Sequence, residues 1–186
     1  MDTESPKKFT SREEVLAGLH KENLVGADLS GLDLTDVKLA GLDLHGADLH
    51  DANLAGAKIA GTNLSDANLA NAQLDSAKIA GTNLHGADLH GAQLNAVRMA
   101  GVNLTDADLT GVDLSESRIV GTNVKGADFT DAVTTGARGA ANWDEAAVPP
   151  AEPLESVGAP PKWLPLAVAI VFALGFIIVM RKRKSA

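Results

Sequence analysis

The sequence predicts an all-β solenoid with four sides, and three observations support this fold class. A five-residue pattern runs without insertion over residues 27–131, giving 21 pentads whose central residue is always apolar. The stretch AKIAGTNL occupies residues 57–64 and returns letter for letter at residues 77–84. Only 3 % of the residues are aromatic and none is Cys, so neither a conventional core of large side chains nor a disulfide framework is available. A fixed repeat is therefore the organising feature of the chain.

The spacing of the pentad centres fits neither a helix nor a straight strand. A helix would rotate successive centres by about 140° and scatter them around its circumference. A strand would send alternate centres to opposite faces, because its side-chain period is two. A chain that bends once per pentad keeps every centre inside. Eighteen of the 21 pentads end in Gly, Asp or Asn, which tolerate the backbone angles of tight turns.

Twenty residues complete one coil if the coil has four such sides. Residues 57–76 and 77–96 match at thirteen of twenty positions. Equivalent residues should then stack twenty positions apart, at the roughly 4.8 Å spacing of neighbouring strands. The repeats predict a solenoid of about five coils and roughly 25 Å in length.

The stretches AGAKIAG, SDANLAN, HGADLHG and TDADLTG resemble the A(D/N)LXX repeats of the pentapeptide-repeat family. The resemblance covers about 105 of the 186 residues and implies a right-handed quadrilateral β-helix. Some members of that family imitate the charge pattern of DNA and bind type II topoisomerases. End-to-end dimerisation through the last coil also occurs in the family, so a homodimer is an open alternative here.

Caps are expected at both ends, because a solenoid exposes an apolar cross-section there. Ser11 and Glu14 have the spacing of a capping box, and Val15, Leu16 and Leu19 follow on one predicted helical face. A short helix over residues 12–20 should plug the first coil, and Trp143 should cover the last. The predicted segments are 1–26, an N-terminal segment with the capping helix; 27–136, the β-helix; 137–162, a C-terminal cap and Pro-rich linker; 163–180, a transmembrane helix; and 181–186, a basic tail.

The stretch WLPLAVAIVFALGFIIVM, residues 163–180, contains no charged residue. As a helix it would extend about 27 Å, which is close to the hydrocarbon thickness of a bilayer. Five of the seven prolines lie in residues 149–162 and favour an extended linker before it. The residues expected at the membrane interfaces are Trp163 on one side and Arg181, Lys182, Arg183 and Lys184 on the other.

Two orientations of this anchor are consistent with the sequence. Positive-inside bias would place residues 181–184 in the cytoplasm and the repeats outside. Residues 1–26 contain no apolar run long enough for an export signal, which favours a C-terminal tail anchor with cytoplasmic repeats. The tail is also similar to a surface-sorting signal, although residues 164–168 lack the Thr-Gly of the sortase form. We expect a single-pass membrane protein with its repeats in the cytoplasm.

The second pentad position divides into four ladders, one for each side. Three ladders are acidic or amide-bearing, and they start at Asp28, Asp33 and Asp43. The fourth ladder is uniformly basic and comprises Lys38, Lys58, Lys78, Arg98 and Arg118. Small residues flank these cations, so the side should be flat and suited to an acidic protein surface or anionic lipid. Asp33, Asp36 and Asp43 could instead balance the row of charges.

The composition excludes several classes of function. Residues 27–131 hold 15 acids and 6 bases, and the whole chain has a net charge of -8, so direct binding of nucleic acid is not expected. No nucleophile, base and orienting acid converge, so we expect neither an enzyme nor a cofactor. Surface histidines His45, His50, His85 and His90 could sense pH, and an adjacent pair could hold a metal loosely.

The function favoured by the sequence is a membrane-tethered, non-enzymatic protein-interaction scaffold whose protein partner is not identified. A DNA-mimicking regulator of a type II topoisomerase or another DNA enzyme is the alternative. The two predictions differ in the face they use, because the scaffold would present its basic side and the mimic its acidic sides.

Overall fold

A computed structural model describes residues 7–18 and 24–151, and this part of the chain winds as a parallel β-solenoid. The elements in chain order are helix α1, Arg12–Gly18, and the strands β1, Lys38–Ala40; β2, Lys58–Ala60; β3, Lys78–Ala80; β4, Arg98–Ala100; β5, Arg118–Thr122; and β6, Arg138–Ala141. A 3₁₀ turn, Trp143–Glu145, follows β6. The six strands form one parallel sheet in sequence order. The predicted all-β solenoid of about five coils with one short helix is confirmed.

The register of the coils is twenty residues on all four sides. In the sheet, Lys58 pairs with Lys78 and Ile59 with Ile79. The other three sides are joined by single parallel bridges at the same interval, namely Asp28 with Asp48, Asp33 with Asn53, Asp43 with Asn63, and their equivalents in later coils. Each coil therefore has four sides, as the pentads predicted. The right hand of the coil stays a prediction from the family resemblance.

The core is a narrow column of stacked side chains. Every pentad centre from Leu29 to Phe129 is buried, with at most 2 % of its surface exposed. Two positions before each centre, most residues are small and also buried, as Ala47 and Ala87 show. The interior of each coil is narrow, because the coil has only four short sides. The small residue leaves room there for the neighbouring Leu. The ladder of identical positions thus fills the bore without large aromatic side chains.

The Asp or Asn at the second pentad position closes the corner that follows it. Asp108 Oδ1 accepts a hydrogen bond from the Thr110 backbone N–H at 2.8 Å, and Asn68 Oδ1 accepts one from the Ala70 N–H at 3.1 Å. Asp and Asn side chains are suited to this bond with the backbone two residues on, which mimics a turn. The (D/N) of the repeat is therefore explained by local geometry, before any function is considered.

Buried hydroxyls inside the bore were expected to bond to neighbouring backbone. Thr62 Oγ1 donates to the Leu39 carbonyl and Thr82 Oγ1 donates to the Ile59 carbonyl, the latter at 3.3 Å. The expectation fails at Thr122, whose buried hydroxyl has no partner within the described residues. Thr122 also lies where the register between β5 and β6 shifts.

Backbone pairing begins before the predicted limit of the repeats. Lys8 pairs with Asp28, and Phe9 is buried beneath the first coil. The Lys8 ammonium lies 2.6 Å from the Asp28 carboxylate and, with a smaller contribution from the Ser30 hydroxyl and N–H, lowers the pKa of Asp28 to about 2. The N-terminal segment thus extends one side of the solenoid through a single parallel bridge.

Helix α1 follows and covers Arg12–Gly18 of the predicted residues 12–20, and residues 19 and 20 lie outside the described residues. Ser11 Oγ accepts the N–H of Glu14 at 3.2 Å, as a capping residue should. Val15 is buried, but Leu16 is 45 % exposed, so the predicted face of Val15, Leu16 and Leu19 is wrong in its second member. Leu16 is rotated about 100° from Val15, and so short a helix buries one narrow stripe.

At the other end, the coil continues past residue 136. Strand β6 pairs with β5, although Gly139 replaces the apolar centre. A Cβ at Gly139, where φ is 151°, would collide with the Ile119 carbonyl, so the backbone itself fills the bore. Trp143 then packs its ring edge to face against Phe129, with centroids 5.2 Å apart. The predicted position of Trp143 over the last coil agrees with this contact.

No helix within residues 7–18 and 24–151 is long and apolar enough to cross a bilayer. The predicted transmembrane helix at 163–180, most of the linker and the basic tail lie outside the described residues.

Replacing Ala96 with Gly should stabilise the solenoid. Ala96 ends its pentad with φ of 54°, a left-handed conformation that most other corners assign to Gly, Asp or Asn. Removing the Cβ relieves backbone strain and should raise the free energy of unfolding by about 1 kcal/mol, after allowing for the greater freedom of Gly in the unfolded chain. Urea unfolding followed by circular dichroism should show a higher midpoint. Ala100→Gly, on β4 of the same coil, is the matched control and should lower the midpoint; a lower midpoint for Ala96→Gly would contradict the assignment.

Candidate functional site: the basic face

The outer surface of strands β1 to β6 carries one cation in each coil. We call this surface the basic face and define it by Lys38, Lys58, Lys78, Arg98 and Arg118, all of them exposed. The pairs Lys38 with Lys58, Lys78 with Arg98, and their neighbours stand in direct register. The structure therefore brings together all five residues predicted for the interaction site.

The ladder has a sixth member that the sequence reasoning missed. Arg138 begins β6 and pairs in register with Arg118. The pentad pattern dissolves in this region, so Arg138 was not grouped with the other cations. Its position twenty residues after Arg118 was the signal that could have identified it.

The five cations of the basic face form no ion pair within 4.0 Å anywhere in the described part of the chain. Two of the three acids expected to balance them, Asp33 and Asp43, have other partners. Asp33 caps the corner at Thr35 and lies 4.0 Å from Arg12, while Asp43 accepts the Asn63 amide at 2.8 Å. Neighbouring like charges about 4.8 Å apart repel by roughly 1 kcal/mol in water. No ion pair within 4.0 Å offsets this repulsion in the described solenoid, although Glu116 lines the same groove as Arg98 and Arg118.

The outward residues beside the cations of the basic face are mostly small, and an open groove lined by Arg98, Arg118 and Val120 lies between β4 and β5. The third residue of each strand is exposed and is Ala in all but one of the first five strands; these residues are Ala40, Ala60, Ala80, Ala100 and Val120. A Gly corner follows each of them, with φ near +60°. No large side chain on these strands shields the cations from an approaching partner.

The basic side also differs from the other three sides within residues 24–151 in how its coils pair. Lys or Arg carries no acceptor and cannot cap the corner as Asp or Asn does. Three consecutive residues pair between coils instead, as in Lys58–Ala60 against Lys78–Ala80. The other sides pair through one residue each. The basic side therefore combines a row of cations with three-residue pairing between its coils.

The side of the coil opposite the basic face bears carboxylates. We call it the carboxylate face; its ladder is Asp28, Asp48, Asn68, Asp88, Asp108 and Asp128, two sides away in a four-sided coil. Most of these residues use Oδ1 to cap the following corner, as Asp88 does for the His90 N–H at 2.9 Å. Asp48 accepts a hydrogen bond from His50 Nδ1 at 2.8 Å, which raises the pKa of His50 above its ordinary value.

A third side carries an amide ladder along the axis. Asn63 Nδ2 donates to Asp43 Oδ1 at 2.8 Å, and Asn83 and Asn103 continue the chain of bonds at 3.1 and 2.9 Å. Asn123 departs from the ladder and donates to Thr105 Oγ1 at 3.0 Å. These amides bond mainly to one another and act as supports between coils.

The histidines do not assemble a metal site. His45 and His85 each donate from Nδ1 to a backbone carbonyl of the next coil, those of Ser65 and Thr105, at 3.0 Å. Within the described residues, no three His, Asp or Glu side chains are grouped as metal ligands would be. The observed bonds give these histidines a structural role.

Comparison with known proteins agrees with the repeat geometry. The family model described as pentapeptide repeats matches residues 23–51, 52–91 and 92–131, which is more than half of the chain. The chain belongs to the pentapeptide-repeat family. Pentapeptide-repeat proteins are generally structural or interaction proteins without enzymatic activity. No curated protein sequence matches the chain.

Solved pentapeptide-repeat structures share the fold. HetL, a protein involved in heterocyst differentiation regulation from the cyanobacterium Nostoc sp. strain PCC 7120, is 24 % identical with a TM-score of 0.50; the match covers 70 % of this chain and 62 % of HetL. Rfr23 from the cyanobacterium Cyanothece 51142 is 22 % identical with a TM-score of 0.46, covering 74 % and 99 %. QnrB1, a plasmid-mediated fluoroquinolone resistance protein, is 18 % identical with a TM-score of 0.35, covering 76 % and 74 %. At this identity, the likeness to HetL shows the fold alone.

Proposed function

We propose that this pentapeptide-repeat protein is a membrane-tethered, non-enzymatic scaffold that binds an acidic protein surface through its basic face. The observation that carries the proposal is the row of five exposed cations, in register and without ion pairs in the described solenoid. Such a row costs stability through mutual repulsion, and a bound acidic surface would offset that repulsion.

The sheet geometry favours a protein partner over a lipid surface. Strands joined by hydrogen bonds hold the cation-bearing backbone positions at a fixed interval of about 4.8 Å. A fixed row distinguishes among partners by the spacing of their charges, whereas a bilayer presents mobile head groups. Anionic lipid could still add about 1 kcal/mol per cation near the membrane. We therefore assign the basic face to protein binding and the membrane contact to the tail.

The membrane tether rests on the sequence of residues 163–180 and the basic residues that follow it. The Pro-rich segment before it would hold the solenoid away from the bilayer. We propose a single-pass anchor with the repeats on the cytoplasmic side. Protease treatment of intact and opened cells decides the orientation, because cytoplasmic repeats are cleaved only after opening.

The carboxylate face supports a second candidate, a DNA-mimicking regulator of a type II topoisomerase or another DNA enzyme. Its acids form a column at regular spacing, as in Asp88 and Asp108. The opposite basic face and the proposed anchor both depart from a freely diffusing mimic of DNA. The scaffold is therefore the function that the geometry supports better.

Neutralising the basic face should remove the partner without unfolding the solenoid. The variant Lys58→Gln, Lys78→Gln and Arg98→Gln lowers the net charge by three. The matched control adds three acids to other sides through Asn68→Asp, Gln73→Glu and Gln93→Glu. Tagged full-length protein is cross-linked and purified, and the proteins recovered with it are quantified by mass spectrometry. Partners of the basic face should be depleted at least tenfold with the first variant and retained with the control, because only the first variant removes several charge pairs.

Equal recovery of every protein from the two variants, with untagged copies of this chain counted among them, would contradict binding through the basic face. Circular dichroism checks that both variants keep the β-solenoid. Inhibition of gyrase supercoiling that survives in the neutralised variant would favour the DNA-mimicking alternative.

Charges placed within residues 163–180 should release the protein from membranes. Each Arg at the centre of a transmembrane helix costs about 2.5–3.5 kcal/mol on insertion scales, so Val171→Arg with Leu174→Arg should move most of the protein into the alkaline-carbonate supernatant. The control variant Val171→Leu with Leu174→Val keeps the apolar character and should stay in the pellet. Wild-type protein found in the supernatant would contradict the tether.

A further inference from the structure

Two opposite faces of the solenoid carry opposite charge at the same axial interval. The basic face places Lys58, Lys78 and Arg98 twenty residues apart in direct register. The carboxylate face places Asp48, Asn68, Asp88 and Asp108 at the same twenty-residue interval. Both intervals are set by the same inter-coil hydrogen bonds, so the two rows have a common period.

We propose that the acidic surface taken by the basic face is the carboxylate face of a second copy of this chain. This inference rests on the proposed function and names the partner. With two solenoids side by side and their axes aligned, each coil of one presents a cation to the carboxylate-bearing coil of the other. The contact would offset the repulsion within both rows.

The common period distinguishes this partner from other acidic chains. Carboxylates on one side of an extended peptide recur about every 6.6 Å, because alternate residues face the same way. Against a row with a period of about 4.8 Å, such a peptide drifts by roughly 9 Å over five steps. The carboxylates of a second solenoid have the same spacing as the cations, so the two rows remain aligned along their whole length.

On the carboxylate face, Asp28 is paired with Lys8 and Asp48 with His50, whereas Asp88 and Asp108 are available to a partner. Asp88 and Asp108 use Oδ1 to accept the backbone N–H two residues on, at 2.9 and 2.8 Å. These bonds orient each carboxylate at its corner and leave Oδ2 for an approaching cation. Neither residue forms an ion pair of its own within the described coils.

The arrangement predicts open rows of molecules, because the two contacting faces differ and lie on opposite sides of each copy. Each face measures about 24 Å by 10 Å, or roughly 240 Å², from five inter-strand steps and three residues of strand. Stable interfaces bury about 800 Å² per partner, so an isolated pair should be weak and sensitive to salt. Tethering to one membrane would raise the effective concentration and strengthen the rows.

Cysteine cross-linking of the full chain tests this arrangement directly, because the sequence contains no Cys. Ala80→Cys places a thiol at the middle of the basic face, and Ala70→Cys places one beside Asn68 on the carboxylate face. The two variants, distinguished by tags and mixed in equal amounts at low ionic strength, are oxidised briefly. At low ionic strength, the expected yield of mixed dimer is at least threefold higher than random pairing gives. At about 1 M salt, where the Debye length is about 3 Å, the yield should fall to that of random pairing.

Neutralised variants identify the charges responsible. Lys58→Gln, Lys78→Gln and Arg98→Gln in the Ala80→Cys chain should abolish the excess of mixed dimer. Asp48→Asn, Asp88→Asn and Asp108→Asn in the Ala70→Cys chain should do the same. These Asn residues keep the corner bond, since Asn68 already makes it on this ladder.

Random pairing of the wild-type faces at low salt, or an excess of dimers joined through Ala80→Cys alone, would overturn the inference. The proposed function is judged separately by the proteins recovered with the neutralised basic face. If pairing is random but specific proteins are still lost from that variant, the basic face binds another acidic protein and only the self-association fails. If neither changes, both proposals fail.

Discussion

The whole structure depends on the backbone hydrogen bonds between successive coils, which hold residues twenty positions apart in register. The N–H of Leu64 donates to the carbonyl of Asn83 at 2.7 Å, and the N–H of Asn83 donates to the carbonyl of Thr62 at 3.0 Å. These bonds repeat on all four sides, so equivalent side chains are held one above another. A residue type that recurs with this period becomes a ladder, and a ladder of charges becomes a face. The chemistry of the surface thus follows directly from the register of the backbone.

The second pentad position connects this register to function. Asp or Asn there caps the corner through Oδ1, whereas Lys or Arg leaves the corner to inter-strand pairing, as Asp108 and Lys78 illustrate. The basic face therefore has both a row of cations and the continuous strand pairing of the sheet. On the opposite side of the coil, Asp or Asn occupies this position and forms the carboxylate face. The solenoid needs no pocket to discriminate among partners, because the spacing of its charges can do so.

Much of the fold could be predicted because the repeat period directly encodes the register. The sequence predicted the four sides, the buried centres and the five-membered basic ladder. It could not predict that Asp43 accepts a hydrogen bond from Asn63, since side-chain direction depends on local packing. Arg138 was not assigned to the basic ladder, because Gly139 interrupts the apolar pattern that defines the pentads. Leu16 was misplaced because so short a helix has too few turns for a sequence pattern to define its buried stripe.

Disulfide formation within one chain measures the twenty-residue register most directly. In the variant Lys58→Cys with Lys78→Cys, the paired Cα positions should be about 4.8 Å apart, inside the range that a disulfide spans. In Lys58→Cys with Asn68→Cys, the residues are closer in sequence but lie on opposite sides of the coil. The register predicts rapid intramolecular oxidation of the first pair and none of the second in the folded full-length chain. Faster oxidation of the second pair would contradict it, because loop closure alone favours the shorter separation.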